Sequence, residues 1–304
     1  MTQFFDQLAA VVRAKRSPLV VGLDPRADQL PHAMAPSAST PADTASAYRE
    51  FCCEVVDATV GCAAAAKPQA AFFEELGPPG VVALVEVIRY CQAKNLLVIL
   101  DAKRGDIGTT AEAYARGLVG RHSPWGGDAL TVNPYLGDDS LAPFVSVAQE
   151  RGAGLFVLVK TSNPGGKLWQ DRPLEAESGV KAPLYRHVGE HVEHLSRNTR
   201  GACGYGVVGA VVGATYPQQL AELRAAMPHT WFLIPGFGAQ GGSAADTAAG
   251  FDPQGLGAVV NSSRGVIFAH KRPEFAGLPW QEAVHRAAEE AAEQLRASTP
   301  AGKL

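Results

Sequence analysis

Three things are scarce in this 304-residue chain: cysteine, surplus charge of either sign, and long apolar runs. The five cysteines, Cys52, Cys53, Cys62, Cys91 and Cys203, are odd in number and form no C-x-x-C pair. The first two lie beside Phe51, Val55 and Val56, which reads as reduced packing cysteine rather than a disulfide framework or a metal site. With 27 basic against 30 acidic side chains the formal charge is -3. That is too balanced for a general polyanion binder, so no nucleic-acid partner is expected. No stretch approaches the roughly 20 apolar residues of a membrane span, so no membrane partner is expected either. The N-terminal residues Met1–Asp6 lack the basic start and apolar core of a secretory leader. The C-terminal Gly302-Lys303-Leu304 has glycine where a peroxisomal address needs a small hydroxyl residue. The expectation is a soluble, cytoplasmic protein, and the hydrophobic content of 46% is too high for disorder.

What the chain does have is alternation. Short apolar runs stand at Leu19–Leu23, Ala63–Ala66, Leu96–Leu100, Ala129–Val132, Leu155–Val159, Val207–Val212, Trp231–Ile234 and Ala258–Val260. Several are continuously apolar, as expected of parallel strands covered on both faces. Helical patterns separate them. Thr40-Pro41-Ala42-Asp43 offers an N-cap, a first-turn proline and an acid facing the helix dipole. Tyr48, Phe51, Cys52, Val55, Val56 and Thr59 then share one helix face. Val81, Leu84, Val85, Ile88 and Cys91 repeat the pattern, and an alanine- and glutamate-rich helix covers 276–297.

This order predicts a single α/β domain over 1–297, a (β/α)₈ TIM barrel, with 298–304 a frayed tail. A doubly wound open sheet is the competing architecture. Two connections, 24–40 and 161–182, are too long for simple turns and follow strand ends, so lids over the active face are expected there. Trp169, Arg172 and Lys181 stand in the second.

The segment Asp101-Ala102-Lys103-Arg104-Gly105-Asp106 follows the third strand, with Asp101 and Lys103 two apart and so on one side. Alternating charges at a strand end are costly to desolvate unless they compensate each other or a ligand. A lysine between carboxylates favours its charged form, which makes it a proton donor rather than a Schiff-base nucleophile. A solvated, salt-bridged turn is the plainer reading, and a cell-adhesion role for Arg104-Gly105-Asp106 does not suit an intracellular chain. Near the C-terminus, Gly236-Phe237-Gly238-Ala239-Gln240-Gly241 matches G-x-G-x-x-G but lacks an acid at the end of the following strand, where Asn261 stands. A phosphate cradle after strands seven and eight is the better reading, with Gly236, Gly238 and Gly241 letting the backbone approach and Arg264 forking onto the oxygens. His187, Glu190, His191 and His194 lie at helical spacing beside an apolar stripe, and read as the polar flank of an amphipathic helix rather than a metal site.

Asp-x-Lys-x-x-Asp-Ile-x-x-Thr after the third strand resembles orotidine 5′-phosphate decarboxylases, and Lys160-Thr161-Ser162-Asn163-Pro164-Gly165 resembles their bacterial type 2 subfamily. Asp24 in Gly-Leu-Asp-Pro, Lys67 in Ala-Lys-Pro, Ser162, Gln240 and Arg264 each stand after the matching strand. Taken singly, Asp24 reads as turn chemistry, Lys67 as a snorkelling lysine and Ser162 as a loop residue.

The resemblance implies a lyase that converts orotidine 5′-monophosphate to UMP and CO₂ in pyrimidine synthesis. With no sequence signature for metal, pyridoxal or thiamin, it implies no cofactor. Lys103 would protonate C6, Asp101 would fix Lys103 and face the departing carboxylate, and Asp24 and Lys67 would bind ribose. Ser162 would meet the pyrimidine edge, and Gln240 with Arg264 the phosphate. Asp106, with Ile107 and Thr110, would reach the neighbouring subunit's site in a homodimer with shared active sites. The alternatives are a magnesium-dependent sugar-phosphate synthase or keto-gulonate-phosphate decarboxylase on the same barrel, and a non-catalytic nucleotide-binding barrel.

Overall fold

Runs of Val, Leu, Ile and Ala with no polar face have no stable place except between two apolar layers, and that is where these lie. The computed structural model describes residues 2–35, 40–175, 179, 181–238 and 242–304. Among them, eight parallel strands close into a barrel: β1 (Leu19–Leu23), β2 (Ala65–Pro68), β3 (Leu97–Arg104), β4 (Ala129–Val132), β5 (Gly154–Lys160), β6 (Val208–Val212), β7 (Phe232–Ile234) and β8 (Ala258–Ser262). Pairing of Leu19, Val20 and Val21 with Val260, Asn261 and Ser262 closes the cylinder and excludes the open sheet. Each strand overlaps an expected run. Four extend further at the carboxyl end than expected: β2 takes in Lys67 and Pro68, β3 Asp101 to Arg104, β5 Lys160, and β8 Asn261 and Ser262.

Alternation along the strands builds two cores. Val20, Ala65, Ile99, Ala129, Phe156, Val211, Leu233 and Val259 point inward and meet Phe4, Phe5, Leu8 and Val12 of the helix Phe4–Lys15, which plugs the amino end. Phe5 lies edge-on to Phe156 at 5.3 Å and stacks on Trp231 at 5.8 Å. Leu19, Val21, Val98, Leu100, Leu130 and Val157 point outward against the helices. Each fully buried side chain of this kind contributes roughly 1.5–3 kcal/mol. The helix Pro41–Thr59 is capped as expected, Thr40 accepting from the Asp43 amide at 3.2 Å, and it buries Tyr48, Phe51, Cys52, Val55 and Val56. All five cysteines are free, and burial pushes every thiol up.

The 161–182 connection, expected as a lid, carries short elements of its own: a turn at Pro164–Gly166, a helix Lys167–Gln170 and an antiparallel ribbon of Pro173–Glu175 with Lys181–Pro183. Buried Lys160 pairs with Asp171 at 2.5 Å and ties it to the barrel. The C-terminal helix spans Trp280–Ser298 rather than 276–297, because Pro279 occupies its N-cap position. The tail is not frayed. Ala301 is fully buried, Thr299 caps its amide at 3.3 Å, and Arg16 donates to the Gly302 carbonyl at 3.2 Å. No helix among the described residues is long and apolar enough to cross a membrane.

Candidate active site

The alternation that buries Ala65, Ile99 and Ala129 inside the barrel turns Lys67, Asp101 and Thr131 inward two residues later, at the carboxyl ends of β2, β3 and β4. Four donors converge on the Asp101 carboxylate. Lys67 Nζ and Gln69 Nε2 reach Oδ2 at 2.5 and 3.1 Å. Lys103 Nζ and Thr131 Oγ1 reach Oδ1 at 2.6 and 3.0 Å. Burial alone would raise the Asp101 carboxyl, but the charges and hydrogen bonds of Lys67 and Lys103 hold it well below the usual carboxylate range. For Lys67, burial disfavours the ammonium, yet Asp101 and then Asp24 outweigh it and the group moves up. Lys67 therefore does not snorkel. It is a buried cation whose charge is fixed by its neighbours.

Above this floor opens a cavity of about 430 Å³. One wall is polar, with Asp24, Lys67, Gln69, Asp101, Lys103 and Thr131. The opposite wall is apolar, with Leu158, Val211, Leu233, Pro235 and Phe237. Ser162, Gly236 and Arg264 complete the rim. Nearly half of the Lys103 side chain is open to it, whereas Asp101 and Lys67 are buried beneath. Asp24 keeps one buried carboxylate oxygen without a hydrogen-bond partner. A space of this size, polar on one side and apolar on the other, suits a small molecule with a flat apolar face and several polar edges.

The glycine loop after β7 folds back on itself. The Gly238 amide donates to the Gly242 carbonyl at 2.9 Å, and the Gly242 amide to the Gly236 carbonyl at 3.1 Å. Gly236 and Gly238 have φ of 101° and 75°, a left-handed backbone that favours glycine. Gln240 and Gly241 lie outside the described residues. Arg264, exposed at the start of a short helix after β8, faces the same cavity.

The sequence-derived residues divide in two. Asp24, Lys67, Asp101, Lys103, Ser162, Gly236 and Arg264 meet around the cavity. Asp106, Ile107 and Thr110 do not line it; they stand at the start of the helix Gly108–Leu118, with Ile107 and Thr110 exposed and the Asp106 carboxylate accepting from the Ile107 amide at 2.8 Å. Gln69, Thr131, Asn163, Asn261 and Ser263 line the cavity and were not singled out from sequence. Thr131 and Asn261 could have been found by continuing the inward phase of Ala129 and Val259 by two residues. The helix Leu184–Arg197 turns its histidines to separate partners, His191 to Asp138 and His187 to the Leu174 carbonyl. Among the described residues no three potential metal ligands converge.

The sequence profile of the orotidine 5′-phosphate decarboxylase / HUMPS family matches residues 17–277. The orotidine 5′-phosphate decarboxylase of Rhodopirellula baltica is 53% identical over 306 residues, covering 97% of this chain and 100% of that one. That of Haloarcula marismortui is 44% identical over 293 residues, covering 96% and 97%. The solved structure of Leishmania donovani OMP decarboxylase matches with a TM-score of 0.75 at 38% identity, covering 98% of each chain.

Proposed function

The chain belongs to the orotidine 5′-phosphate decarboxylase / HUMPS family, and from that premise we propose how its barrel mouth performs the family's chemistry. The activity is that of a carboxy-lyase, turning orotidine 5′-monophosphate into UMP and CO₂ in pyrimidine nucleotide synthesis. Its relatives favour this over a sugar-phosphate synthase or a silent nucleotide-binding barrel.

Loss of the carboxylate leaves the electron pair of the broken C–C bond on C6 of the pyrimidine, with no ring position to take it up. Something outside the ring must meet that charge. The observation that carries the reading is the Asp101 carboxylate pinned between Lys67 and Lys103, with the Lys103 ammonium open to the cavity. Lys103 stabilises the negative carbon as CO₂ leaves, then transfers a proton to C6; the resulting neutral amine is recharged from solvent. Asp101 holds the ammonium in place and presents negative charge to the substrate carboxylate. Because these charges are fixed before substrate arrives, little reorganisation is required in the transition state. No cofactor is needed for this route.

Arg264, the 236–242 loop and Gln240 bind the phosphate, Asp24 and Lys67 the ribose, and Ser162 the pyrimidine edge. Binding energy from the remote phosphate lowers the barrier as well as holding the substrate. Asp106, Ile107 and Thr110 complete the site of a second copy, so the active form is a homodimer. Exposed Ile107, Tyr135 and Leu136 on the loops after β3 and β4 supply the apolar surface such a contact needs. The cytoplasm, where nucleotide synthesis draws on soluble substrates, is the proposed compartment.

The direct test is to give the purified chain orotidine 5′-monophosphate in the presence of a chelator. UMP and CO₂ should appear at a rate that metal removal does not change. Absence of both products, or activity that depends on added magnesium, would contradict the reading.

A further inference from the structure

Between the paired positions Leu100/Leu130 and Arg104/Val132, three residues of β3 lie opposite one residue of β4. The three are Asp101, Ala102 and Lys103; the one is Thr131. Such a bulge removes regular ladder partners from the crowded strand and re-aims its side chains. Lys103 pays for it with a φ of 47°, a left-handed backbone in which a long side chain is uncommon. A conformation of that kind persists only where its surroundings over-determine it.

The Thr131 hydroxyl is what does so. Its oxygen accepts from the Lys103 amide at 2.9 Å and from the Ala102 amide at 3.1 Å, both within the bulge. Its proton goes to Asp101 Oδ1 at 3.0 Å, the same oxygen that receives the Lys103 ammonium at 2.6 Å. One hydroxyl thus fixes both ends of Lys103, its backbone directly and its ammonium through Asp101.

We propose that Thr131 is a positioning residue for decarboxylation, its hydroxyl holding the β3 bulge that points the Lys103 ammonium at the reacting carbon. This rests on the role given to Lys103 above and adds a residue to it. Thr131 touches neither the proton nor the leaving group in this account; it acts through Lys103 and Asp101.

Thr131→Val keeps the shape and removes the hydroxyl, while Thr131→Ser keeps the hydroxyl and removes the methyl. In Thr131→Val, kcat should fall about 100-fold, the size of effect that roughly 1 Å of misplacement produces, with UMP affinity changed only a few-fold. Thr131→Ser should restore kcat to within a few-fold of the parent. Amide hydrogen exchange gives a readout independent of turnover: the Ala102 and Lys103 amides should be protected in the parent and in Thr131→Ser, and lose protection in Thr131→Val. Parental kcat in Thr131→Val would overturn the proposal, as would equal loss in both variants. Fast exchange of the two amides in the parent protein would also overturn it, and that measurement stands even if Thr131→Val does not fold. A parent chain that forms no UMP would instead refute the functional reading itself, so the two failures are distinguishable.

Discussion

The Lys67 ammonium lies 2.5 Å from Asp101 Oδ2 with both side chains more than nine-tenths buried. Two opposite charges taken out of water together stay where geometry puts them, because separating them would strand one uncompensated. That makes Asp101 a fixed base on which the more exposed Lys103 rests, and the pair belongs to stability as well as to catalysis.

Removing one partner exposes the cost. Lys67→Met should destabilise the fold by about 3 kcal/mol, the lower end for a broken buried pair, because Lys103, Gln69 and Thr131 still donate to Asp101. Denaturant midpoints check this. Adding Asp101→Asn to Lys67→Met should cost less than the sum of the two single changes.

The same pair sets a pH dependence with a definite sign. Asp101 titrates in the fold well below the usual range, so its contribution is present above about pH 4, where an unfolded aspartate is ionised. It is lost as pH falls from there toward the folded value. Lys67 moves up, so its contribution is present below about pH 10.5 and lost as pH rises through the still higher folded value. Urea midpoints for Asp101→Asn should therefore fall less steeply below about pH 4 than those of the parent. Parallel acid limbs would contradict the assignment.

Arg264 stands at the rim opposite the charged floor. Arg264→Ala should raise KM for orotidine 5′-monophosphate by about 10- to 100-fold, from the roughly 1.5–3 kcal/mol of a hydrogen bond to a charged group. Orotidine, which has no phosphate, should be turned over equally by parent and variant. A matching loss with orotidine would show that Arg264 acts elsewhere.

Sharing of sites between subunits has its own test. Asp101→Ala and Asp106→Ala proteins, each inactive alone, should regain part of the parental activity when mixed and allowed to exchange subunits. One kind of mixed dimer then carries one intact site. Exchange without any regain would remove Asp106 from the partner's site.

Much of this architecture was legible in the sequence because strands buried on both faces read as continuous apolar runs, and a polar residue ending such a run has few places to go except the barrel mouth. Asp101 and Lys103 were visible for that reason and Arg264 for its place beside the glycine loop, whereas Asp24, Lys67 and Ser162 were picked out only by the family resemblance. Thr131 and Gln69 were not, since a threonine ending a strand and a glutamine after Lys-Pro are ordinary in any loop-edge context. The importance of Thr131 arises from the β3 bulge, a relation between two strands that neither sequence segment carries alone, and that of Gln69 from its reach across to Asp101. The ribbon of 161–182 was masked by proline and glycine, which mark loops but do not exclude short edge pairing. The packed C-terminal turn depends on the Gly302 carbonyl meeting Arg16, nearly the whole chain away.

The central claim is that the Lys103 ammonium, held by Asp101, supplies charge and proton at C6. Single-turnover kinetics of Lys103→Ala on orotidine 5′-monophosphate, with UMP binding measured alongside, test it most directly. The account predicts near-parental UMP affinity and a decarboxylation rate lower by several orders of magnitude. A rate close to that of the parent, with UMP still bound, would contradict it.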